Sequence, residues 1–307
     1  MQKSISLLFA AAVFSASICF AQQVARKTFQ PTTFDIGYLE YLPPDYHDTD
    51  KEYPLLIFLH GGGQSGNGTP ESLERVKDWG PPRLIQEGHN MCFEVKGTEE
   101  CLIVLSPQYI ANDAYSWSFI VSLLLEHIEQ GPNQYRVDTD RIYLTGLSRG
   151  GMGVYQFAAS HLNKPNKLAA IAPIAAWTEG GEIGCVISQL RLPVWAFHGL
   201  EDTVVPYSMG WAAFSLIMNC TDPVPEAELN FTTYDDYGKY HDSWLPAYDT
   251  SNTYHSPNLY QWLLLQSKSA NEGPVTAVEP GPGFPGESFS LHPNPADRFV
   301  KLAFQTL

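Results

Sequence analysis

Arg141-Ile142-Tyr143-Leu144-Thr145-Gly146-Leu147-Ser148-Arg149-Gly150-Gly151-Met152-Gly153 joins an apolar, β-branched run to a string of helical character. The five residues Gly146 to Gly150 form Gly-x-Ser-x-Gly, which alone is common in loops. Placed between a strand and a helix, the pattern describes a sharp turn that lifts a serine hydroxyl clear of the backbone. Glycines two before and two after the serine keep that turn free of side-chain clash. Ser148 is therefore the candidate nucleophile, and the rest of the chain must supply its partners.

The chain of 307 residues is 44% hydrophobic, enough for one large globular α/β unit or two small ones. Residues 1–21 read as a secretory signal, with Lys3, an apolar run from Ile5 to Phe20, and the Cys19-Phe20-Ala21 cleavage site. A lipidated Cys19 fits less well, because Ile18 before it is bulky. No later apolar run reaches the about 18 residues of a membrane span. The net charge of −15 opposes nucleic acid and anionic membrane as partners. Beyond the signal stand Cys92, Cys101, Cys185 and Cys220, an even number that suggests disulfides in an exported chain. Of three connectivities, Cys92–Cys101 with Cys185–Cys220 is the expected one. No metal-ligand spacing or phosphate-cradling loop is present, so neither metal nor cofactor is expected.

Strand-like and helix-like segments alternate from Phe34 to Gln266. Expected strands include Phe34 to Leu42, Tyr53 to Leu59, Cys101 to Leu105, Arg141 to Thr145, Leu168 to Ala175, Leu192 to Phe197 and Glu228 to Tyr234. Continuous apolar runs such as Pro54 to Leu59 suit strands covered on both faces. Expected helices are Glu71 to Glu87, broken at Gly80-Pro81-Pro82, then Trp117 to Ile128, Ser148 to about His161, Tyr207 to Asn219 and Asn258 to Gln266. This order predicts an α/β fold with a mostly parallel sheet and helices on both faces, its chemistry at the carboxyl ends of the strands.

A serine needs a base to take its proton and an acid to orient that base. After Ser148, His198-Gly199-Leu200-Glu201-Asp202-Thr203-Val204-Val205-Pro206 offers the acid. Asp202 is favoured over Glu201 because it stands just before the Thr-Val-Val-Pro turn; its alternative role is to cap the next helix. His241, in the loop after the Glu228 to Tyr234 strand, is the expected base, with His255 and His292 as alternatives. An oxyanion requires preorganised N–H donors. The amides of Gly62, in the His60-Gly61-Gly62-Gly63 loop, and of Arg149 are the candidates. Gln108, Trp117 and Trp177 follow strand ends and are candidate substrate-binding residues. His60 precedes the serine and reads as structural.

Together these motifs resemble the α/β-hydrolase superfamily, and within it secreted feruloyl and acetyl-xylan esterases and polyhydroxybutyrate-depolymerase-like and dienelactone-hydrolase-like proteins. The resemblance implies a Ser148–Asp202–His241 triad and ester hydrolysis, with feruloyl or acetyl groups on polysaccharide as the expected substrate. Polyester cleavage, an oligopeptidase-like activity and a non-catalytic surface binding module are the alternatives. The catalytic unit is expected over 22–270, followed by a Gly/Pro-rich linker over 271–288. The segment 289–307, with His292-Pro293-Asn294-Pro295-Ala296-Asp297, resembles the truncated start of a type IX secretion sorting domain. It implies a secretion-machinery partner and a secreted or cell-surface location.

Overall fold

The computed structural model describes residues 22–28, 35–110, 116–131, 135–160, 166–178, 183–222, 226–235 and 240–271. The expected signal over 1–21, the linker beyond Asn271, His292 and the 289–307 segment lie outside the described residues. The strands are β1 (Val24–Lys27), β2 (Gly37–Tyr41), β3 (Tyr53–Leu59), β4 (Cys92–Val95) and β5 (Thr98–Cys101), then β6 (Ile103–Pro107), β7 (Val137–Leu147), β8 (Ala170–Ile174), β9 (Val194–Gly199) and β10 (Leu229–Tyr234). The helices are α1 (Pro70–Leu73), α2 (Gly80–Gln86), α3 (Trp117–Gln130), α4 (Arg149–Ala159) and α5 (Ile183–Gln189), then α6 (Tyr207–Met218), α7 (Trp244–Ala247), α8 (Leu259–Leu264) and α9 (Lys268–Asn271).

Eight strands form one sheet in the order β1-β2-β6-β3-β7-β8-β9-β10. The β1/β2 and β2/β6 pairs are antiparallel, and every pair from β6 to β10 is parallel. All of β3 is buried. Its alternating side chains divide between two cores, as the period of two in a strand requires. Leu55, Ile57 and Leu59 pack with Ile120 and Leu124 of α3 and Val154 and Phe157 of α4. Leu56 and Phe58 pack with Ile85 of α2 and Leu259 and Leu263 of α8. Each such buried side chain contributes about 1.5–3 kcal/mol. The expected two-faced, mostly parallel α/β sheet is thus the one observed.

Two boundaries differ from the sequence reading. The helical stretch breaks at Trp79, one residue early, and Gly80-Pro81-Pro82 begins α2, with proline in its first turn. Proline's missing N–H has no acceptor to lose there. Gly80 sits at φ +67, and a Cβ on it would lie 2.5 Å from the Phe58 ring. Cys101 belongs to the β4–β5 hairpin rather than to the buried strand, because it pairs with Cys92 across the ladder. The two expected disulfides are both formed, Cys92–Cys101 and Cys185–Cys220. The second ties α5 to the chain just after α6.

Candidate active site

β7 ends at Leu147 and α4 starts at Arg149, so Ser148 makes the whole turn between them. It does so at φ 54 and ψ −121, in the left-handed half of backbone space. Such a conformation is uncommon for a residue with a Cβ and persists only where neighbours enforce it. Those neighbours are close. A Cβ on Gly150 would fall 2.1 Å from the Leu59 carbonyl oxygen, and one on Gly146 would fall 2.7 Å from the Gly150 carbonyl. The amide of Ser148 donates to Ile174 O at 2.9 Å, fixing the turn to the end of β8.

His241 and Asp202 come to this serine from the loops after β10 and β9. Ser148 Oγ lies 2.7 Å from His241 Nε2, and His241 Nδ1 lies 2.7 Å from Asp202 Oδ2. A carboxylate only accepts, so Nδ1–H donates to it and Nε2 is left to accept the serine proton. The other carboxylate oxygen, Oδ1, accepts from the amides of Val204 and Val205, each at 2.9 Å. Burial works to raise the Asp202 pKa. The hydrogen bonds from His241, Val205 and Val204 outweigh it and hold the carboxyl below its ordinary range. Asp202 does not cap α6, whose N-cap is Pro206 with no side-chain bond. Glu201 beside it is exposed. His241 is itself at φ 73, and the Trp244 ring stands edge-on to it at 5.1 Å.

The glycine loop lies against the same turn. A Cβ on Gly61 would be 2.9 Å from Leu147 Cδ1 and 3.6 Å from Ser148 Cβ. Residues Gly62–Gln64 form a single 3-10 turn. Arg149 is the first residue of α4, where amides have no acceptor four residues back and the helix end is partly positive. Its side chain passes the glycine loop, with Nε 3.9 Å from where a Gly62 Cβ would be and the guanidinium 5.4 Å from the Tyr109 ring centre. Gly61 thus packs against Ser148, and Gly62 faces the Arg149 side chain.

Two expected substrate-binding residues are instead structural. Trp117 is 1% exposed and packs against His60 and Tyr109 beneath the loops. It turns inward because it opens α3 on the buried side of that helix. Gln108 is wholly buried. Its Nε2 donates to Gln64 O at 2.9 Å and Ser72 O at 2.7 Å, and its Oε1 accepts from Gly68 N at 2.9 Å. It therefore braces the segment after the glycine loop from below. Trp177, shortly after β8, is half-buried. His60 donates from Nδ1 to Gly61 O at 2.6 Å and accepts Tyr109 N–H on Nε2 at 2.9 Å. Burial drives its pKa down to about 4, so it stays neutral. His255, the alternative base, is buried against Trp195 and Phe197, with Nε2 2.5 Å from the Tyr234 hydroxyl. Cys92, Glu99 and Cys101 also cluster, but the two sulfurs are joined in a disulfide and offer no thiolate. Among the described residues no helix is long and apolar enough to cross a membrane.

No protein-family model matches the chain. Over 158 residues it is 38% identical to the bifunctional acetylxylan esterase/xylanase XynS20E of Neocallimastix patriciarum, covering 50% of this chain and 20% of that protein. The chain thus spans about a fifth of the length of that relative. The crystal structure of a thermostable esterase superposes with a TM-score of 0.58 at 24% identity, over 80% of this chain and 63% of that one. The structure of FAE superposes with a TM-score of 0.51 at 17% identity, over 73% and 83%. With the sheet order and the strand-to-helix turn described above, these likenesses identify the architecture as the α/β-hydrolase fold.

Proposed function

We propose that the chain is a serine carboxylic-ester hydrolase acting on acyl esters carried by polysaccharide. The observation that carries this reading is the chain of two 2.7 Å hydrogen bonds from Ser148 through His241 to Asp202. In this reading Ser148 Oγ attacks the ester carbonyl carbon while His241 Nε2 takes its proton. The amides of Gly62 and Arg149 donate to the oxyanion that forms. Collapse of the intermediate breaks the ester C–O bond, and His241 returns the proton to the leaving alcohol. Water then gives a proton to His241 and attacks the acyl-serine; the acyl C–O bond to Ser148 breaks, the acid leaves and His241 returns the proton to Ser148 Oγ. Asp202 keeps the imidazole in the required tautomer and stabilises its protonated form. The name of the Neocallimastix relative supports acetyl groups on xylan as the first substrate to try.

A second reading, cleavage of polyester, draws support from the rim. Tyr240 is 78% exposed beside His241, and Val204 is 64% exposed beside the Asp202 loop. Apolar groups left in water around a catalytic mouth favour an apolar substrate. The experiment is labelling with a fluorophosphonate, followed by hydrolysis of p-nitrophenyl acetate, methyl ferulate, acetylated xylan and a polyester film. Labelling of Ser148 with release of acetate from xylan is expected. A folded sample that takes no label sinks the enzyme reading; turnover of the film alone selects the second substrate.

The same proposal places the protein outside the cell, with 1–21 as leader, 22–270 as catalytic unit, 271–288 as linker and 289–307 as a sorting segment. The two disulfides support an oxidising compartment. Mass spectrometry of protein recovered from culture medium should give a chain starting at Gln22. A chain retained inside the cell and starting at Met1 contradicts this.

A further inference from the structure

The amino-terminal halves of β9 and β10, the His255–Pro257 segment, the end of α8 and the tip of the β4–β5 hairpin line an open pocket of about 480 Å³. That is a usual size for a small-molecule site, roughly 300–1,000 Å³. It lies away from Ser148. Trp195, in its wall, stands four residues before the end of β9, roughly 13 Å along the strand at about 3.3 Å per residue. Asp202 and His241 follow the opposite ends of β9 and β10. None of the steps proposed for ester hydrolysis uses the pocket.

Its floor is aromatic and its rim polar. Trp195 and Trp262 meet edge to face at 5.4 Å, and His255 stands edge-on to Trp195 at 5.3 Å. On the rim, Asn230 Nδ2 donates to Glu228 Oε1 at 2.8 Å, and Gln266 Nε2 donates to Glu228 Oε2 at 3.3 Å. Three planar groups are so held in one array. Each amide also has a carbonyl oxygen and a second N–H, and each carboxylate oxygen has a further lone pair. Lys96 adds one positive charge to the single carboxylate of Glu228. Burial holds His255 neutral, its pKa lowered to about 4, so the lining carries no net charge. The indole N–H of Trp262 is buried and meets no acceptor among the described residues. That N–H is closed off from the pocket, so Trp262 offers it only ring carbon.

We propose that this pocket binds a neutral sugar ring within a polysaccharide chain. A sugar presents hydroxyls that both donate and accept, which suits the amide and carboxylate array. Its C–H face suits the aromatic floor. A lining without net charge gives an anion such as phosphate no advantage. Glu228, just before the edge strand β10, and Lys96, on the hairpin turn, are both exposed, so a chain has room to continue past the bound ring. A polymer held here keeps its acyl groups at raised local concentration near Ser148. The sugar site itself does not depend on the ester-hydrolase reading; only the choice of xylan as first probe does.

The test is affinity electrophoresis and saturation-transfer NMR of the full chain with xylohexaose and with maltohexaose. At least one is expected to bind. Asn230→Ala and Glu228→Ala should each weaken binding about tenfold, the effect of losing a hydrogen bond of about 1.4 kcal/mol. Lys96→Ala, on an exposed turn, threatens the fold least and should weaken it roughly threefold. Ser148→Ala should bind as the parent does, and Asn230→Ala should keep the parent's turnover of p-nitrophenyl acetate. Binding of neither sugar, or binding that survives all three rim substitutions, overturns the proposal. Failure to hydrolyse p-nitrophenyl acetate with sugar binding intact would instead count against the hydrolase reading alone.

Discussion

The histidines beneath the loops differ from the histidine at the mouth. His60 spends both ring nitrogens on backbone groups, donating from Nδ1 to Gly61 O and accepting on Nε2 from Tyr109 N–H. His198 donates from Nε2 to Val205 O at 2.9 Å and is 1% exposed. His255 is shut in against two aromatic rings. Burial lowers the pKa of all three, to about 4 for His60 and His255. His241 alone sits between a carboxylate and a serine hydroxyl, its side chain 10% exposed and its backbone at φ 73. The same side chain thus serves as a fixed neutral brace below and as a candidate proton carrier above. What separates the roles is the partner on each nitrogen.

Removing the mouth's chemistry should have the largest effect. Ser148→Ala is expected to lower turnover on the order of 10⁶-fold while leaving the thermal midpoint near that of the parent. Asp202→Asn should cost on the order of 10⁴-fold, because an amide can present the wrong group to Nδ1–H. Glu201→Gln beside it should change turnover by less than about threefold; if it proves the more damaging, the acid is misassigned.

The braces should report through stability instead. His60 and His255 have folded pKa values of about 4 against about 6.5 unfolded. Between those values the unfolded chain takes up protons that the folded chain refuses. Their contribution is therefore full above pH 6.5 and is lost as pH falls toward 4, by roughly 3 kcal/mol for each. Urea unfolding at pH 7.5 and pH 4.5 should show the fall, and His255→Gln should reduce it. A midpoint unchanged between the two pH values contradicts the buried neutral assignment.

Two glycines test where the backbone is tight, and the second carries the smallest expected effect. Gly150→Ala should destabilise by roughly 2–4 kcal/mol, since its Cβ would meet the Leu59 carbonyl. Gly63→Ala has nothing within 4 Å of its Cβ and should stay within about 0.5 kcal/mol in chemical unfolding.

These contacts also explain what could be read in advance. Gly146 and Gly150 are fixed by atoms within 3 Å, so the turn leaves a mark in residue identity that survives without coordinates. The order of Ser148, Asp202 and His241 follows from strand ends that the apolar runs locate. The direction in which a side chain leaves a loop has no such mark. Trp117 and Gln108 follow strand ends, as binding residues do, yet both turn into the core. β1 was not anticipated because Val24–Lys27 is mostly exposed and has no apolar alternation. α5 contains Gly184, which reads as a helix breaker. Its reason is close packing, since a Cβ there would lie 2.2 Å from the Leu216 backbone.

The Cys185–Cys220 bridge encloses β9 and the whole loop that holds Asp202. The tip of that loop is open to solvent, with Leu200 at 40% and Val204 at 64% exposure. Exposed tips of this kind are where proteases cut. A nick between Leu200 and Val204 would leave two fragments still joined through sulfur, migrating as one molecule until a reductant separates them. The fastening that ties α5 to the chain after α6 thus also keeps a severed Asp202 loop attached to the rest of the molecule.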